Sequence, residues 1–149
     1  MLFCLSFILK HTFMPALQFV VIDDNADTLR KNNVLLAEIF PTSNIVTFED
    51  ANKALSYLIG MQEENCELYI LIEAELKIFG SFEFLTVFEN CLAYQNPNFK
   101  VILLSKQIDR KIKTQSLKFP SIFNITENPL DVNKMDWIVW EKESTLSFA

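Results

Sequence analysis

Five short apolar runs, each reaching polar or acidic residues and each followed by a stretch with helical spacing, constrain this chain more than any other feature. "QFVVI" (18–22) stops at Asp23-Asp24, "NIVTF" (44–48) at Glu49-Asp50, and "LYILI" (68–72) at Glu73. "FKVILLS" (99–105) closes on Ser105, and "SIFNI" (121–125) leads into "TENP". Apolar runs of this length suit strands buried on both faces, as in a parallel sheet. The segments between them read as helices. "TLRKNNVLLAEIF" (28–40) carries Leu29, Val34, Leu36 and Phe40 near helical spacing, with Asp27 as the expected cap. "DANKALSYLI" (50–59), a Phe-rich stretch around 82–94 and "IDRKIKTQSLK" (108–118) follow, and a last helix begins near Asp131 with Met135, Ile138 and Val139 inward. Strand–helix alternation without internal repeats predicts a doubly wound α/β domain, one parallel sheet with helices on both faces. Such sheets bind ligands beyond the carboxyl ends of their strands, so the residues there are the ones to read for function.

Composition narrows the options. Half of the 149 residues are hydrophobic, with 14 Phe among them, which predicts a packed core. Only two glycines are present, so Gly-rich phosphate loops are excluded. A net charge of -6 argues against a general nucleic-acid binder. Cys4, Cys66 and Cys91 have no metal-ligand spacing and form no even disulfide set, which points to free thiols in a reducing, cytoplasmic setting. Cys91, near the Phe-rich helix, is expected to be buried. A single histidine, His11, leaves no material for a His-based triad. The opening run "MLFCLSFIL" is too short to cross a bilayer, which takes about 20 residues, and lacks the flanks of a signal peptide. Residues 1–16 are therefore expected to be an arm, with Met14 a candidate natural start, and 17–149 the folded domain. No membrane association is expected.

The strand-end residues, taken in order, resemble those of the response-regulator receiver domain of two-component phosphorelay signalling, over roughly residues 17–142. In that family an acidic pair follows the first strand and a phosphate-accepting Asp ends the third. A Ser or Thr ends the fourth strand, and a Lys-Pro pair, commonly cis, follows the fifth. Here Asp23 and Asp24 match the acidic pair, Ser105 the hydroxyl and Pro129 the proline, and "EAELKIFGSFEFL" keeps the spacing from acceptor to helix. The resemblance implies a flavodoxin-like (βα)5 fold with strand order 2-1-3-4-5. It also implies a Mg²⁺ site made by Asp23, Asp24, the acceptor position Glu73 and the backbone carbonyl of Glu75.

Two site positions depart from the family. Glu73 replaces the accepting Asp, and Asn128 replaces the Lys. The switch aromatic of the fifth strand falls on Ile125, an aliphatic residue. Lengthening the nucleophile by one methylene moves its oxygen, and misplacement of ~1 Å costs about 10²-fold. Deleting a preorganised cation costs about 10²–10³-fold. A pseudo-receiver, with phosphorylation weak or lost, is the expectation. Glu73 would then either reach toward Ser105 and imitate the phosphorylated state, or mark a drifted site facing solvent or a metal. Lys106 is read as an exposed loop lysine, or as a replacement cation swung over the acids.

The resemblance implies a partner-binding face made by the fourth helix, fifth strand and last helix. Arg110, Lys111 and Lys113 give that face a basic patch, and Trp137 and Trp140 share one side of the last helix. A stand-alone module that binds a histidine kinase, a downstream signalling protein or a second copy is the leading expectation. A Mg²⁺-dependent phosphatase with Asp23 as nucleophile, and a true receiver phosphorylated on Glu73, are the alternatives.

Overall fold

The computed structural model describes residues 16–61, 66–93 and 98–135. Strands β1 (Ala16–Ile22), β2 (Asn44–Phe48), β3 (Cys66–Glu73), β4 (Phe99–Ser105) and β5 (Ile122–Glu127) alternate with helices α1 (Ala26–Ile39), α2 (Ala51–Gly60), α3 (Ser81–Phe88) and α4 (Arg110–Ser116). Helix α3 runs on into a π turn, Glu89–Ala93, and the last described element is a 3-10 turn, Asn133–Met135. Residues 1–15 of the expected N-terminal arm and the two tryptophans, Trp137 and Trp140, lie outside the described residues, while Ala16, expected in the arm, is the first residue of β1. All strand pairs are parallel, in the order β2-β1-β3-β4-β5. The chain thus has the doubly wound topology expected from its alternating pattern.

The central strands are apolar on both sides because both sides are covered. Val20, Ile22, Ile70, Ile72, Val101 and Leu103 face one layer, packed with Leu58 of α2 and Phe84, Leu85 and Phe88 of α3. Phe19, Val21, Tyr69, Leu71, Ile102 and Leu104 face the other, packed with Leu29 and Leu36 of α1 and with Leu130 and Met135. Each such side chain withdrawn from water contributes roughly 1.5–3 kcal/mol. The period-two division of one strand between two cores holds the register, since a slip of one residue would exchange the faces.

Asn25 caps α1, its side chain accepting from the Thr28 N–H at 3.1 Å. The helix therefore starts before the expected Asp27 cap. Asp27 lies instead in the first turn, where Arg30 and Lys31 sit at 2.9 and 3.1 Å. Hydrogen bonds from Arg30 first, then Lys31, hold its carboxyl below the ordinary range. Asp50 and Asp109 cap α2 and α4 in the same way, as acceptors for Asn52 and Ile112 N–H groups.

Three expectations need correction. Val34 is half exposed (51%), and Asn32 is fully buried on α1 between Leu29 and Leu36. Cys91 is exposed rather than buried. It lies in the π turn that follows α3. The same turn begins at Glu89, whose Oε1 accepts from Ser121 N at 2.9 Å and Ser121 Oγ at 2.7 Å, just before β5. Strand β5 itself continues to Glu127, past the expected end at 125, after an irregularity in its pairing with β4 at Val101/Ile102. Among the described residues, no helix is long and apolar enough to cross a membrane.

Candidate functional site

Strand register brings the candidate residues to one edge. Ile22 pairs with Ile72, which sets Asp23, just past β1, beside Glu73 at the end of β3. Glu73 pairs with Leu104, and Ser105 with Glu127, so Ser105 and Asn128 follow at the same level. The Asn128 N–H extends this ladder by donating to the Ser105 carbonyl at 3.0 Å. Asp23, Glu73, Ser105 and Asn128 are all buried, with 1%, 4%, 0% and 6% of their surfaces exposed. Two buried acids side by side need compensation, since removing a carboxylate from water without partners is costly.

Asn128 supplies it. Its Nδ2 donates to Asp23 Oδ2 at 2.9 Å and also to Glu73 Oε2. One amide nitrogen has two protons, and here each acid takes one. The Asn128 carbonyl oxygen accepts from Asn32 Nδ2 at 2.9 Å, and Asn32 Oδ1 accepts from Leu130 N at 2.9 Å. The result is a head-to-tail relay, Leu130 N–H to Asn32 to Asn128 to the two acids, with every donor aimed toward the negative charge. Hydrogen bonds chained in one direction polarise one another, and more so in a buried setting. The second oxygens are also satisfied: Asp23 Oδ1 accepts from Asn25 N at 2.9 Å and Glu73 Oε1 from Glu75 N at 3.2 Å.

The relay does not cancel the whole cost of burial. Loss of solvation raises the Glu73 carboxyl above its ordinary range, and the negative charges of Asp23 and Glu75 add to this. The hydrogen bonds from Asn128 and the Glu75 N–H pull the other way and do not overcome it.

The remaining expected residues fall elsewhere. Asp24 is exposed, and its Oδ2 accepts from Lys77 N at 3.0 Å, which turns it toward the β3–α3 loop. The Ser105 hydroxyl donates to the Gln107 carbonyl at 2.9 Å and so closes its own loop. Glu73 is thus turned from solvent and held by Asn128, while the Ser105 hydroxyl is engaged with Gln107. Lys106 is exposed on the β4–α4 loop, and Glu75 meets the site through its N–H. Arg110, Lys111 and Lys113 are exposed on α4, and Ile125 is half-buried on β5. The Asn128–Pro129 peptide is cis, as the resemblance implied.

The residues do not fit a Mg²⁺ ion in this arrangement. The amide of Asn128 joins Asp23 to Glu73, and Asp24 is engaged with the loop. Among the described residues, no group of three acidic, His or Cys side chains is disposed to hold a metal. Asn32 is the member of the site that the sequence reading missed. Its signal was an amide on the inward stripe of an amphipathic helix, where a leucine is the usual occupant.

No model of a known protein family matches the chain, and no curated protein matches it. Solved structures do. The chain is similar to a response regulator receiver protein from Dyadobacter fermentans (20% identity, TM-score 0.71), covering 83% of this chain and 95% of that one. It is similar to a two-component response regulator from Cytophaga hutchinsonii (16% identity, TM-score 0.75), with 85% and 96% covered. A third, a two-component response regulator from Legionella pneumophila, shares 19% identity at a TM-score of 0.71, with 86% and 98% covered. The protein has the fold of the response-regulator receiver domain, with an asparagine bridging two buried acids at the edge where that fold carries its site.

Proposed function

We propose that this chain is a receiver-like signalling module that acts by binding other proteins, with the phosphoryl-accepting chemistry replaced by a fixed internal bridge. The observation that carries this reading is the Asn128 amide shared between Asp23 and Glu73. An incoming phosphoryl donor needs an ionised, accessible nucleophile and cations that absorb the developing charge. Glu73 is 4% exposed, and the group facing it is a neutral amide rather than a cation. The same bridge argues against a phosphatase, because Asp23 is also committed to it.

Protein binding is supported by the α4–β5 surface. A hollow of about 370 Å³ between α4 and β5 is lined by Lys113, Leu117 and Ile125 among others. Leu117 is 86% exposed, Lys113 lines the hollow, and Arg110 and Lys111 are exposed on the same helix. Apolar surface on a helix that carries exposed cations suits an acidic protein partner, whether a kinase, a downstream protein or a second copy.

Incubation with acetyl phosphate and Mg²⁺, followed by intact mass measurement, tests the proposal. The wild-type chain is expected to gain no phosphoryl mass. The double variant Glu73→Asp with Asn128→Lys, which restores the shorter acid and the cation, is expected to gain one. Phosphoryl uptake by the wild type, lost on Glu73→Gln, would overturn the reading.

A further inference from the structure

We infer that the groove between the α2 N-terminus and the β3–α3 loop is a docking site for a basic, apolar-bearing segment of a partner protein. It is separate from the α4–β5 surface and does not depend on whether Glu73 accepts phosphate. The hollow measures about 310 Å³. That is the lower end of ligand-pocket volumes, roughly 300–1,000 Å³, and holds one or two side chains more readily than a cofactor.

Its floor is apolar, made by Leu76 and Phe79 with Ala51 of α2, and its rim is acidic, made by Asp24, Glu49 and Asp50. Three carboxylates thus face one lining cation, Lys77. The ion pairs of Asp27 with Arg30 and Lys31 lie on α1, away from this rim. Asp24 belongs to this rim because of the geometry of the neighbouring site. The resemblance would group it with Asp23 and Glu73, yet its carboxylate is turned away to the loop by the Lys77 N–H at 3.0 Å. Above the floor stands Ile78, 97% exposed. An isoleucine held in water beside an apolar hollow is surface that a partner can cover.

A guanidinium or ammonium meets the rim and a neighbouring large apolar residue fills the floor, with Ile78 folding over it. An acidic segment is repelled by the rim, and an uncharged apolar one brings no charge to offset the three carboxylates.

The test is a titration of the isotopically labelled full chain with an acetylated, amidated peptide alternating Arg with Leu and Phe, read by amide chemical shifts. A control peptide carries Glu in place of Arg. The expected result is saturable shifts at Ala51, Asn52 and 76–79, weaker at high salt and absent with the control. The paired substitution Glu49→Lys and Ile78→Ser is expected to weaken binding at least about tenfold. Both positions are exposed, so the fold should survive. Shifts on another face, equal shifts with the Glu peptide, no shifts at all, or unchanged affinity in the paired variant would each overturn the inference. So would concentration-dependent shifts at both the groove and α4 without peptide, which would make the occupant a second copy.

Discussion

At Glu73 an extra methylene and an amide partner together change what a buried acid does. A lysine would bring a full positive charge to Asp23 and Glu73, whereas Asn128 brings two N–H dipoles and no charge. The bridge therefore brings no positive charge to the acids, and burial, with the charges of Asp23 and Glu75 adding to it, raises the Glu73 carboxyl. Its proton is held more tightly in the folded protein than in the unfolded chain, where the ordinary value is 4.5. Between that value and the raised one the native state binds more protons. The associated stability is thus fully present below 4.5 and is lost as pH rises through the folded value. Urea unfolding at a series of pH values should show wild-type stability, relative to Glu73→Gln, falling across that interval and flat above it. A difference that does not vary with pH would contradict the assignment. The substitution itself carries a cost, because a glutamine amide cannot accept from both Asn128 and the Glu75 N–H.

At the level of elements, α1 serves as both core helix and part of the site. Its inward stripe runs Leu29, Asn32, Leu36, and the amide in the middle is what connects the helix to β5. Replacing Asn32 with Ala would leave the Leu130 N–H and the Asn128 carbonyl oxygen buried and unmatched. Each orphaned group costs about 1–3 kcal/mol, so a loss of about 2–6 kcal/mol in denaturant unfolding is expected. A loss below ~0.5 kcal/mol, the range of ordinary surface changes, would show that the relay carries no weight. The helices also show where sequence reading falls short. Strands β2 and β4 were legible to the residue because apolar runs ended sharply. Helix starts depended on which of several neighbouring polar residues became the cap, as with Asn25 and Asp27. The exposed Cys91 lies in a π turn that no spacing in the sequence announces.

For the whole molecule, the alternating pattern carried the topology, and the strand ends carried the positions of Asp23, Glu73, Ser105 and Asn128. Which side chains would bond was not legible. Asp24 is committed to the β3–α3 loop, 53 residues away, and Ser105 to its own loop, at 3.0 and 2.9 Å, while Asn32 reaches Asn128 from 96 residues away. Long-range hydrogen bonds of that kind leave no local trace. Because the acids are bridged internally, thermal unfolding should be indifferent to millimolar Mg²⁺. A bound ion at about 100 times its Kd would stabilise the native state by about 2.7 kcal/mol, so a clear rise in Tm that vanishes in Asp23→Asn would count against the bridge. The clamp of Glu89 on Ser121 has a further consequence. Glu89 moors the start of β5 and Asn128 moors its end, one to the end of α3 and the other to the acids. A force on the outer edge of β5 would therefore meet two ties, one of which leads to the buried acids.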